Sequence, residues 1–246
     1  MSDTCPQTII AKAEHFVREY MSRYDCSHDW HHVDRVVRQA LVLARAQSPD
    51  KSVDLLVVHL AALLHDVDDA KYKQSGDVAF SSKDFLTSIG LDQERAALVC
   101  RVVDAVSFRK ELMFEEQKGQ GFVDQDEVVW RNECLELACV QDADRLDAIG
   151  AFGVLRCAAF SGARNRPLHS ADDSFIENIT YDQYVQSDNR TATAISHFHE
   201  KLLQLAARMK TEQGQQEARR RHTFMLQFLK QIDDEFSFGN STFDKN

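Results

Sequence analysis

The chain has 246 residues, 43% hydrophobic and 28% charged, an ordinary globular composition that can bury one large core. Nine Gly and three Pro leave too little turn chemistry for a many-stranded β fold, and a formal charge of −10 excludes a general nucleic-acid binder, which needs a basic footprint. Six scattered cysteines without a CxxC pair argue for a reducing compartment and against a disulfide scaffold.

Helical periodicity dominates from the start. Residues 8–21 place Ile9, Ala13, Phe16, Val17 and Tyr20 on one face, and residues 28–46 repeat the pattern through Val33, Val36, Val37, Ala40, Leu41 and Ala44. Residues 53–66 are apolar nearly all round, which predicts a buried central helix. Further helices are predicted over 78–89, 93–108, 130–141 and 145–159, and two long ones over 191–211 and 214–236. The polar stretch 110–128 reads as a loop or insertion, and 161–189 as a long mixed segment able to cover a site. The tail 237–246 is expected to be disordered. With no repeat, heptad run or composition shift, the expected architecture is all-α: one helical domain over 1–236. The first residues, MSDTCPQTII, lack the basic stretch and apolar run of a secretory leader, and the longest apolar stretch is too short to span a bilayer. The expected compartment is the cytoplasm, with the nucleus left open, and no membrane partner is expected.

Three segments carry chemistry. His65-Asp66 ends the buried helix, where an imidazole and a carboxylate are costly to desolvate unless paired with each other or with a cation. Upstream, SHDWHHVDRV crowds His28, Asp29, His31 and His32 within five residues, with Arg35 one turn beyond His32. On a helix His28 and His32 share a face and His31 does not, while Asp29 suits an N-terminal cap. Downstream, VQDADRLDAIGAFG sets Asp142, Asp144 and Asp147 among core-like residues, a cost that pairing or a metal must offset; Arg145 can neutralise one of them.

Together the words DWHHVDRV, LLHDVDDAKY and QDADRLDAIG closely resemble the HD superfamily of metal-dependent phosphohydrolases. With HFHEKLLQLAARMKTEQG and ARRRHTFMLQFL downstream, they resemble most a branch of small bacterial and fungal HD hydrolases. The resemblance runs from Asp25 to Phe228 and implies an HD-type helical fold. It places the four metal ligands on His32, His65, Asp66 and Asp144. His32 is preferred to His31 because the family's histidine stands three residues before Arg35, and Asp144 to Asp142 because the ligand precedes Arg145-Leu146. Asp142 stays as the alternative. In the same pattern His197, with Glu200 and Lys201, lines the substrate pocket.

Two imidazoles and two carboxylates suit a mid-series divalent ion. Four protein ligands would saturate tetrahedral Zn²⁺, whereas an octahedral ion keeps two open positions. Mn²⁺ is therefore favoured, with Mg²⁺, Fe²⁺, Co²⁺ and Ni²⁺ as the other choices. Asp69, matching an acidic position in nucleotidase members, would orient or deprotonate the attacking water; its bland role is a surface pair with Lys71 or Lys73. Arg35, Lys71 and Arg145 are the candidate phosphate contacts, or simple countercharges for the aspartates. Phe152 and Phe198 are expected in the core. The branch implies a small phosphorylated substrate, a nucleoside triphosphate cleaved to monophosphate and pyrophosphate or else a monophosphate; a homodimer is compatible with this. The competing readings are an HD-type di-iron oxygenase, which would recruit His28, His31 or His59, and a metal- or ligand-binding helical protein without turnover.

Overall fold

The computed structural model describes residues 5–47, 52–67, 81–173, 181–183 and 193–240, and these contain helices and no strand. At the centre, α2 (Trp30–Arg45) packs against both α3 (Leu55–Leu64) and α8 (Leu135–Asp147). The helix α3 has Val57, Val58, Leu60, Ala61, Ala62, Leu63 and Leu64 buried, as an all-round apolar sequence requires. It is covered by α1 (Pro6–Met21) and α5 (Gln93–Val106), with α4 (Ser82–Ser88) against α5. The helices α2 and α3 both begin at aspartate caps. Asp29 caps α2 through the His32 amide (3.0 Å), and Asp54 caps α3 through Leu56 and Val57 (3.0 and 3.3 Å).

Several boundaries depart from the periodic reading. The stretch read as a loop, 110–128, is mostly helical: α6 (Phe108–Gly119) and α7 (Gln125–Glu133) occupy it, capped by Ser107 and Asp124. Its polar surface hid two anchors, since Glu111 and Leu112 are both buried. The run expected at 145–159 is split, because α8 ends at Asp147 and α9 (Gly150–Ala163) starts after a 70° bend. Gly150 makes that corner with φ +74°, a backbone region L side chains rarely adopt.

The long helix expected over 191–211 also breaks. It forms a short α10 (Ala194–Glu200), turns at Lys201, and continues as a 3₁₀ segment, Leu202–Arg208. The last helix, α11 (Glu212–Asn240), packs on α8, α9 and the 3₁₀ segment and runs four residues past the boundary expected at 236. Its start is fixed by Asp142, which accepts from the amides of Lys210 (3.0 Å) and Thr211 (2.7 Å) and from the Thr211 hydroxyl (2.7 Å). Among the described residues no single helix is long and apolar enough to cross a membrane.

Candidate metal centre

Four side chains converge where α2, α3 and α8 meet. His32 sits in the first turn of α2, His65 and Asp66 follow the last turn of α3, and Asp144 lies in the last turn of α8. His32 Nε2 is 3.2 Å from His65 Nε2, 3.3 Å from Asp66 Oδ2 and 3.8 Å from Asp144 Oδ1. His65 Nε2 is 3.4 Å from Asp66 Oδ2 and 3.7 Å from Asp144 Oδ1. The His32 side chain is fully buried and Asp144 is 28% exposed, so the cluster opens toward solvent on the Asp144 side.

The imidazoles are oriented from behind. His32 Nδ1 donates to Asp147 Oδ2 at 2.7 Å, and His65 Nδ1 donates to the Ala62 carbonyl at 2.8 Å, an acceptor the end of α3 leaves over. That leaves both Nε2 atoms as lone-pair donors facing each other. Asp66 Oδ2, buried beside them, has no hydrogen-bond partner. Three electron-pair donors aimed at one point, with two helix C-termini adding their negative ends, form a place for a cation. Among the described residues the grouping able to hold one is His32, His65 and Asp144, whose ligand atoms lie within 4.8 Å of one another, and Asp66 Oδ2 sits inside the same cluster.

The electrostatics agree. Burial and Arg156 push the His32 imidazole down, but Asp147 and Asp66 outweigh them and its pKa stands above the ordinary value. Burial pushes Asp66 up, but His65 and His32 hold its carboxyl well below the usual range. The pocket favours positive charge at this point.

Asp147 is the residue whose role the sequence reading missed. It is almost fully buried, and besides His32 it takes a two-point contact from Arg35 (Nε–Oδ1 2.7 Å, Nη2–Oδ2 3.0 Å), with Arg156 Nη1 at 3.4 Å. Its signal was the three-residue spacing from Asp144, which puts both carboxylates on one face of α8. Arg35 is thus a countercharge of Asp147, and its guanidinium lies 4.4 Å over the ring of Phe152. Phe152 itself is 50% exposed, a correction to its expected place in the core, whereas Phe198 is buried.

The other candidates separate cleanly. Asp142 is spent on the start of α11, away from the cluster. Arg145, one position past Asp144, turns to Glu111 Oε2 (2.7 Å) and the Arg208 carbonyl (2.7 Å). His28 stays near the cluster, its ring 5.8 Å from that of His32, and His31 is exposed. His59 faces α1, with Nε2 3.9 Å from Glu14 Oε1. Lys201 lies 5.4 Å over Phe108. Asp69 and Lys71 fall outside the described residues.

Comparison with known proteins places this geometry. The sequence profile described as "HD domain" matches residues 29–149, the span that holds all four converging side chains. YpgQ of Bacillus subtilis is 32% identical over 219 residues, covering 89% of each chain. Its crystal structure in complex with ADP superposes with a TM-score of 0.65 at 28% identity, over 92% of this chain and 97% of that one. A protein of Lactobacillus plantarum gives a TM-score of 0.75 at 28% identity, covering 95% and 99%. An HD-superfamily hydrolase from Bacillus thuringiensis gives 0.62 at 27%, also covering 95% and 99%.

Proposed function

We propose, from the premise that this chain belongs to the HD domain family, that it is a divalent-metal-dependent phosphohydrolase acting on a small nucleotide. Nucleoside triphosphate, cleaved to monophosphate and pyrophosphate, is the preferred substrate, with monophosphate as the second. The observation that carries this is the convergence of His32 Nε2, His65 Nε2 and the unpartnered Asp66 Oδ2 beside the half-open Asp144. The ADP complex of YpgQ supports the nucleotide class. When bound, a divalent ion (Mn²⁺ favoured) supplies Lewis-acid polarisation of a phosphoryl oxygen and a water of lowered pKa.

His32, His65, Asp66 and Asp144 would hold the ion, and the residues behind them fix its geometry. Asp147 and the Ala62 carbonyl lock the two imidazoles in the tautomer that presents Nε2. Arg35, committed to Asp147 at two points, is better suited to holding that carboxylate than to meeting phosphate. Arg145 is likewise held by Glu111. Asp69 and Lys71 keep the roles proposed from sequence, a carboxylate to orient the attacking water and a cation to meet phosphate. A two-iron oxygenase is less well supported, since of the extra histidines it would recruit His31 is exposed and His59 meets Glu14, leaving His28 near the cluster.

The test is turnover on a panel of nucleoside mono-, di- and triphosphates with and without Mn²⁺, scoring phosphate and pyrophosphate separately, with Asp66→Ala alongside. Mn²⁺-dependent pyrophosphate release, lost in the variant, is the expected result. Phosphate from monophosphates alone would shift the activity to a nucleotidase. A metal-loaded protein that turns over none of them would overturn the proposal.

A further inference from the structure

One stripe of α9 leads away from the metal centre. Arg156, Phe160 and Arg164 are spaced four residues apart and so share a helix face. Arg156 touches the site: its Nη1 is 3.4 Å from Asp147, and its Nε donates to the Ser27 carbonyl at 2.7 Å. Phe160 comes next, its ring 5.9 Å from that of His28, which is itself 5.8 Å from His32. Arg164 closes the stripe with its guanidinium 4.1 Å over Phe160, and Arg166 places a second guanidinium 5.5 Å from the same ring.

The turn that ends α9 builds this pair. The amides of Arg164 and Arg166 both donate to the Ser161 carbonyl (3.2 and 2.9 Å), and Asn165 between them takes the left-handed φ of 53°. That single residue turns the chain so that both cations lie near one aromatic ring. Arg35, Arg145, Arg156 and Arg208 each hold a carboxylate, but Arg164 forms no ion pair among the described residues. In a chain with a formal charge of −10, a half-buried arginine without an ion pair among the described residues, and seated 4.1 Å over a ring, is suited to meet an anion. From Arg156 to Arg164 the helix rises roughly 12 Å, about the reach of a phosphate chain with its flanking groups.

We propose that Arg164 and Arg166, seated on Phe160, form a second anchoring point for phosphate oxyanions, so that the metal centre and the arginine pair grip two parts of one polyphosphate. This rests on the phosphohydrolase reading and adds to it the residues that select chains longer than a single phosphate.

The experiment is calorimetric titration of the Mn²⁺-loaded full chain with inorganic tripolyphosphate and with ADP, for wild type, the double variant Arg164→Ala/Arg166→Ala, and the double lysine variant. The alanine variant is expected to bind both probes about tenfold or more weakly, as charge-assisted contacts are lost. Its Mn²⁺ stoichiometry should be unchanged and its affinity should fall less steeply with salt. The lysine variant should recover part of the loss. If wild type binds the probes and the alanine variant binds them equally well, the arginine anchor is wrong and the hydrolase reading stands. A lowered melting temperature with unchanged affinity would make the pair a structural end to α9 and overturn the anchor in the same way. If wild type takes up Mn²⁺ but neither probe, the anchor and the nucleotide reading fall together.

Discussion

Asp147 holds His32 from behind the metal centre: their 2.7 Å contact fixes which imidazole nitrogen faces the cluster, and two arginines hold Asp147 in turn. Replacing Asp147 with Asn keeps the shape but removes the charge, so either tautomer of His32 becomes acceptable. The affinity for Mn²⁺ is expected to fall by roughly 10- to 100-fold. Isothermal titration would check it, with far-ultraviolet circular dichroism confirming the helices. An unchanged Mn²⁺ affinity would mean that packing alone orients His32.

The cluster gathers carboxylates and lone pairs in a largely buried place, so a bound ion should appear as folding stability. At a free Mn²⁺ concentration a hundred times its dissociation constant, linkage gives about 2.7 kcal/mol. For a chain of this length that is roughly 5–10 °C in melting temperature. Calorimetric scans with Mn²⁺ and with a chelator would measure it. The shift should vanish in Asp66→Asn, which keeps the side chain's size and gives up the anionic ligand. A shift of equal size in that variant would place the ion elsewhere.

Glu111 ties α6 to the rest of the molecule. It is buried and meets Arg145 (2.7 Å), Arg208 (3.5 Å) and Lys210 (3.6 Å). Glu111→Ala would leave those cations without their buried partner, and a loss of about 3–5 kcal/mol is expected from denaturant unfolding at pH 7. The same network predicts acid lability. Burial pushes the Glu111 carboxyl up, but Arg145, Lys210 and Arg208 outweigh it and hold it below its usual value. On α11 the hydrogen bond from Arg220 leads in drawing Glu217 down to about 2. Both folded values are depressed, so their stabilisation is complete above the ordinary glutamate value of 4.5 and is lost as the pH falls below it, for Glu217 down to about 2. Melting temperature followed across that window should fall less steeply in Glu111→Gln than in wild type, and parallel slopes would remove Glu111 from the account.

The candidate metal cluster was more legible in the sequence than the residues packed behind it. His65 and Asp66 stand out as polar groups ending an apolar helix, and the resemblance to the HD family picks His32 and Asp144 from among the neighbouring histidines and aspartates. Arg35 and Arg145 show only as charges, and which carboxylate each meets depends on how α8, α9 and the 3₁₀ segment fold back. Helices with a continuous apolar stripe, such as α2 and α3, declared themselves. The polar α6 did not, because its burial rests on Glu111, a residue that reads as surface until three cations converge on it. The break at Lys201 was equally hidden, since Leu202 and Leu205 sustain an apolar pattern through the change from α to 3₁₀ geometry.

The corner between α8 and α9 gives the sharpest local test. Gly150 has φ +74°, and a Cβ built there would lie 2.9 Å from Arg221 Cγ and 3.0 Å from Arg221 Cβ. Arg221 has little room to give, because its Nε is bound to Glu217 at 2.8 Å and its Nη1 donates to the Leu146 carbonyl at the end of α8. Gly150→Ala therefore meets both backbone strain and a clash, and a loss of about 1–3 kcal/mol is expected in denaturant unfolding. Adding Arg221→Ala would remove the Cγ contact and keep the 3.0 Å approach to Cβ and the backbone strain, so the double variant should lose somewhat less than the two single losses together. Mn²⁺ affinity should weaken with Gly150→Ala as well, since Asp144 and Asp147 occupy the turn that this corner terminates. Stability lost with Mn²⁺ affinity intact would show that the end of α8 is held by α2 and α3 alone.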